Sequence, residues 1–184
     1  MNLEDMILTD EQSSLIWDRF YEEFDFRSNS KINKDHSFDS ESPFKIKKPY
    51  IVYAIENMTE RHINEMDKIM KKCFSELMSD GRKMYALDWQ HTSYKYDPEI
   101  PCEIEEQWRK SLFIKDDSSW GGYMAYYPPF YPDGDYYFFV EENFDFGLLG
   151  HPWRREIWIF GIELMEKLSP YTESIGLLEL LQRS

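Results

Sequence analysis

The stretch PDGDYYFFVEENFDFGLLGHPWRREIWIF, residues 132–160, decides the fold class. Pro132-Asp-Gly-Asp135 carries turn chemistry, because Gly and Asp tolerate the tight backbone of a reversal. Tyr136 to Val140 then offers β-forming residues on both faces, which predicts a central strand. Glu141-Glu-Asn143 reads as a hairpin connection. Phe144, Phe146 and Leu148 alternate with Asp145 and Gly147, the period of a second strand. Gly150-His-Pro-Trp153 turns the chain again, and Glu156 to Phe160 supplies a third strand. Strands joined by connections this short run antiparallel.

Outward from this core, Lys83 to Trp89 and Tyr50 to Ile55 read as further strands. A helix is expected from Thr9-Asp-Glu-Gln12, a capping-box pattern, with Ile16, Trp17, Phe20, Tyr21 and Phe24 on one apolar face. A second is expected from Thr59 or Glu60, where Ile63, Met66, Met70, Cys73 and Leu77 step by three and four; Asp80-Gly81 closes it. Gly161 to Leu168 predicts a third helix, stopped by Ser169-Pro170, and Thr172 to Gln182 a final short one. The fold class that follows is α+β: a mainly antiparallel sheet of about five strands with helices packed on it, in a single domain over residues 1–184.

Two stretches interrupt the pattern. Residues 27–48 lose apolar periodicity and read as a mobile loop; their five lysines make them the basic segment of an otherwise acidic first half. Residues 97–131 form an aromatic-rich irregular insertion, with a short helix expected from Glu103 to Leu112. Exposing all its rings would leave large apolar patches, so it is expected to cover one face of the sheet.

Composition narrows the function. Asp and Glu number 35 against 21 Lys and Arg, a net charge of −14, and aromatics reach 17%. Direct nucleic-acid or anionic-membrane binding needs clustered positive charge and is not expected. Residues 1–26 hold eight acids and one base, unlike the positive start and apolar run of a secretory signal. Cys73 and Cys102 form no CxxC pair. A reduced, cytoplasmic setting is expected.

Chemistry-bearing residues gather at three predicted strand ends. Asp88-Trp89-Gln90-His91 closes one strand, Asp133-Gly134-Asp135 opens another, and His151-Pro152-Trp153 lies in a turn. If these ends meet, Asp88, Trp89, His91, His151 and Trp153 line a pocket in which Asp88, His91, Asp135 and His151 could bind a metal or move a proton. No HExxH spacing supports a metal and no GxSxG elbow a nucleophilic serine. GxxxxGK[ST] and GxGxxG are also missing, so no cofactor is assigned. The alternative use of the charge is docking. Glu103, Glu105, Glu106, Asp133, Asp135, Glu141 and Glu142, set among Trp108 and Trp120, form a candidate surface for a basic protein partner.

Tyr85-Ala-Leu-Asp-Trp-Gln-His91, Tyr131-Pro-Asp-Gly-Asp-Tyr-Tyr-Phe-Phe139 and Phe146-Gly-Leu-Leu-Gly-His-Pro-Trp153 resemble a bacterial family designated domain of unknown function 2716. Ile16 to Phe20 and Ile157 to Leu164 extend the likeness, while residues 27–48 and 97–127 fall outside it. The family implies no activity and no functional residues. In size and charge the chain is similar to immunity proteins that neutralise a toxin, a likeness of class alone. The expectation is a non-enzymatic interaction protein, immunity- or inhibitor-like, whose partner is a toxin or a nucleic-acid-binding protein. A homodimer through Leu177 to Leu181 is the further expectation.

Overall fold

The computed structural model describes residues 3–28, 42–89, 91–100, 111–116 and 119–183. Its centre is a seven-stranded antiparallel sheet in the order β3-β2-β6-β7-β8-β1-β9, where the strands are β1 (Tyr50–Ala54), β2 (Met84–Asp88), β3 (Ser93–Tyr96), β6 (Tyr137–Glu141), β7 (Gly147–His151), β8 (Glu156–Phe160) and β9 (Leu178–Arg183). A separate hairpin pairs β4 (Ser111–Ile114) with β5 (Tyr123–Tyr126). The helices are α1 (Leu3–Met6), α2 (Asp10–Phe24), α3 (Glu60–Leu77) and α4 (Ile162–Leu168), the last running into a 3₁₀ turn at Ser169–Tyr171.

The period of two along the strands sorts side chains into two cores. Ile51, Tyr53, Met84, Ala86, Phe139, Leu148, Ile157 and Ile159 face α3 and α4 and meet Met66, Met70, Phe74, Leu164 and Leu168. Tyr50, Val52, Leu87, Phe138, Val140, Leu149, Trp158 and Phe160 face the other way, against Ile16, Phe20 and Phe24 of α2 and against Phe26 and Phe44. The second core is built largely of rings; Phe20 stacks on Phe138 at 4.6 Å between centroids. The architecture is a sheet sandwiched between helical layers.

The capping box expected at Thr9 forms, and α3 carries one of its own. The Thr9 hydroxyl accepts from the Gln12 amide and Gln12 answers the Thr9 amide; Thr59 and His62 do the same for α3. The aromatic connection splits. Tyr127 and Phe130 pack on the first core, with Phe130 at 4.3 Å from Phe139, whereas the hairpin stays outside the sheet.

The sheet corrects the sequence reading in three places. It has seven strands where about five are expected, and β3 is one of the additions. The segment expected as a helix from Thr172 to Gln182 is a turn followed by β9. A bulge opposite Val52 and Tyr53 makes Leu180 an extra residue between Leu181, paired with Val52, and Glu179, paired with Tyr53. That bulge destroys the alternation that would mark a strand. Finally, Phe144 and Phe146 belong to the turn before β7 rather than to the strand, with Phe144 in a left-handed conformation at φ 67°.

Candidate functional site

β2 and β6 are paired so that Asp88 stands opposite Tyr137. This register brings the turn after β2 against the turn before β6. The Trp89 amide donates to the Tyr136 carbonyl, and the Asp135 carboxylate accepts from the Tyr136 amide at 2.7 Å. The His91 amide closes the first turn on the Asp88 carbonyl. The His91 ring then lies between two acids, with Nδ1 at 3.1 Å from Asp88 Oδ1 and 3.3 Å from Asp135 Oδ2. One donor atom from each of Asp88, His91 and Asp135 lies within 4.8 Å of the others.

The three groups differ in environment. Asp88 is 5% exposed, while most of the His91 side chain is open to solvent. Burial pushes the Asp88 carboxyl up to about 7; His91 opposes the shift, and Asp135 and Asp133 add to it. A carboxyl poised near neutrality beside an accessible imidazole can exchange protons at physiological pH. The same oxygen, nitrogen and oxygen donors suit a divalent cation that keeps open positions for water. Asp133 stands at the margin and accepts from the Tyr137 hydroxyl at 3.1 Å.

His151 does not join this group. It is fully buried, with its ring 4.9 Å from that of Tyr136 and 6.4 Å from that of Phe44. Its Nδ1 accepts from the Arg154 amide, and burial, helped by Arg154, draws its pKa down to about 3. It is a neutral structural imidazole. Trp89 borders the site, its indole donating to the Tyr21 hydroxyl, while Trp153 is half exposed in the β7–β8 turn.

The proposed acidic docking set separates as well. Glu141 is corrected: it is wholly buried and cannot meet a partner. Its carboxylate accepts from the Asn143 amide and side chain and from the Asp145 amide, and it faces Arg82 at 3.7 Å. It anchors the β6–β7 turn. Glu142 accepts from the Lys83 amide and pairs with Lys95 at 2.9 Å. Glu103, Glu105, Glu106 and Trp108 lie outside the described residues, as does the helix expected from Glu103 to Leu112 except for its last two residues, Ser111 and Leu112, which belong to β4 instead.

Trp120 is 87% exposed, beside the glycines that turn β4 into β5. Gly122 is required there, since a Cβ would overlap the Ile114 carbonyl. Phe113, Tyr123, Met124 and Tyr126 of the same hairpin are 42–50% exposed, while Ala125 is buried. The sequence marks the whole stretch as aromatic and Trp120 as a candidate contact, but it does not set these four apart as one exposed hairpin. The available signal was Gly121-Gly122 between two short runs of β-formers.

The chain belongs to the family described as "Protein of unknown function (DUF2716)", whose pattern matches residues 7–121 and 122–165. The match therefore takes in the two stretches where the motif resemblance broke off. The chain is also similar to "Uncharacterized protein YxiI" of Bacillus subtilis (strain 168), with 32% identity over 106 residues, 58% of this chain and 56% of that protein. The chain thus spans little more than half the length of that relative. No solved structure matches. No helix among the described residues is long and apolar enough to cross a membrane.

Proposed function

We propose that the protein is an acidic interaction module, immunity- or inhibitor-like, that occupies a basic protein partner such as a toxin or a nucleic-acid-binding protein. The observation that carries this reading is the β4–β5 hairpin, which presents Phe113, Trp120, Tyr123, Met124 and Tyr126 to solvent outside the main sheet. Large aromatic side chains are the residues that supply anchoring energy at interfaces. The charge of −14 adds steering toward a cationic surface, an effect that weakens as salt rises. Affinity purification from the native host, with wild type and Trp120→Ala, tests it. A stoichiometric basic protein should be retained at low salt, weaken at high salt, and be lost with the variant. Recovery of no such protein, or of one indifferent to both changes, would refute the proposal.

A second reading, a small metal-binding protein or enzyme, is favoured by the convergence of Asp88, His91 and Asp135. Titration with Zn²⁺ should raise the melting temperature of wild type and leave His91→Ala unmoved. Equal responses of the two proteins would remove it. His151 takes no part in this form of the idea.

A further inference from the structure

The sheet carries a cleft separate from the Asp88 cluster; β6 and β7 lie between β2 and β8 in the strand order. Its volume is about 610 Å³, within the range of small-molecule sites. Tyr50 and Val52 of β1 and Trp158 of β8 form part of an apolar lining; Tyr50 and Trp158 stack at 5.3 Å. Phe44 and Ile46 contribute from the segment before β1, and Leu180 and Leu181 from β9. Strict alternation would send consecutive leucines to opposite faces. The bulge makes Leu180 the unpaired extra residue, so both line the same cleft.

The charge of the cleft runs against that of the molecule. Lys45, Lys47, Arg154 and Arg183 line it with a single acid, Glu156, on a chain of net charge −14. Lys45 is paired with Asp25, and Glu156 accepts from the Trp158 indole. Among the described residues no carboxylate lies within ion-pair distance of Lys47 or Arg183. Arg183 is paired with Tyr50 in the strand register, and Lys47 precedes Tyr50 by three residues, so both belong to the Tyr50 end. Arg154 and Glu156 belong to the opposite end, where Glu156 stands against Ala54.

We propose that this cleft binds a small amphipathic carboxylate of the fatty-acid class, its head held by Lys47 and Arg183 and its apolar body laid along Tyr50, Val52, Trp158 and the two leucines. A peptide fits less well. Its backbone needs donors and acceptors along its length, but the β1 backbone beneath the cleft is already engaged by β8 on one side and β9 on the other. One anionic head with an apolar tail needs only what the cleft offers.

Calorimetric titration of the full chain with dodecanoate, dodecanol and dodecyltrimethylammonium, below their aggregation concentrations, tests the proposal. Dodecanoate should bind saturably with one site per chain, the alcohol about tenfold or more weaker, and the cation not at all. Lys47→Glu combined with Arg183→Glu, both at exposed positions, should leave the melting temperature in place and abolish dodecanoate binding. Leu180→Arg should weaken the acid and the alcohol alike. Equal affinity for acid and alcohol, unchanged binding by the charge-reversed variant, or no saturable binding would overturn it. So would dimerisation in sedimentation that Leu180→Arg abolishes, which would give the cleft to a second copy of the chain.

Discussion

At the scale of single residues, burial decides what an acid is for. Glu141 and Asp88 look alike in sequence, each ending a strand rich in apolar residues. The first is satisfied by three hydrogen bonds from its turn; the second is shared with an imidazole. Replacing Glu141 by Ala leaves those donors and Arg82 without their acceptor, so the protein should lose roughly 3 kcal/mol of stability in urea unfolding. Asp88 acts in the opposite direction. Its folded pKa, near 7, lies above the unfolded value near 3.8, so between these limits the folded chain holds the extra proton. Stability from this group is therefore full at low pH and falls as pH rises toward neutrality. His151 works against it, because its lowered pKa makes the unfolded chain take up protons as pH falls below about 6.5. The difference between wild type and Asp88→Asn isolates the first effect. The variant should gain stability relative to wild type as the buffer moves from about pH 5 to about pH 8, read from denaturation midpoints. A constant difference would show that Asp88 does not titrate in this range.

At the scale of elements, what was legible follows from locality. The capping box at Thr9 and the ring-bearing strands β6 and β8 announce themselves within a few residues, and the structure contains them at those positions. β9 hides because its identity depends on a bulge against β1, a partner more than a hundred residues away in the chain. β3 hides because it has four residues. The convergence of Asp88, His91 and Asp135 was legible as a condition, that three strand ends meet; the β2–β6 register fulfils it for two of them, and the His151 end stays apart. The exclusion of His151 was not legible, since it depends on Tyr136 and Phe44 closing over the ring. The handover from β8 to α4 offers a test of packing at this scale. Gly161 has φ 87°, and a Cβ there would overlap the Phe146 side chain and the Asp145 carbonyl. Gly161→Ala should cost roughly 2 kcal/mol or more, seen as a lower melting temperature.

At the scale of the whole molecule, the two cores leave two kinds of surface. One is the outlying aromatic hairpin; the other is the edge of the sheet at β9, where Leu178, Leu180 and Leu181 are exposed. The acidic surface that sequence alone suggested is reduced, because Glu141 is buried and Glu142 and Asp135 are engaged in local pairs. The proposed docking then rests on rings for anchoring and on net charge for approach. Site-specific photocrosslinking in native-host cells reaches it most directly, with a photoreactive residue at position 120 and a control at the exposed Glu11 of α2. One dominant adduct at position 120 to a protein of basic composition, absent from the control, is expected. Adducts that are equal at both positions, or a partner that is acidic, would contradict it.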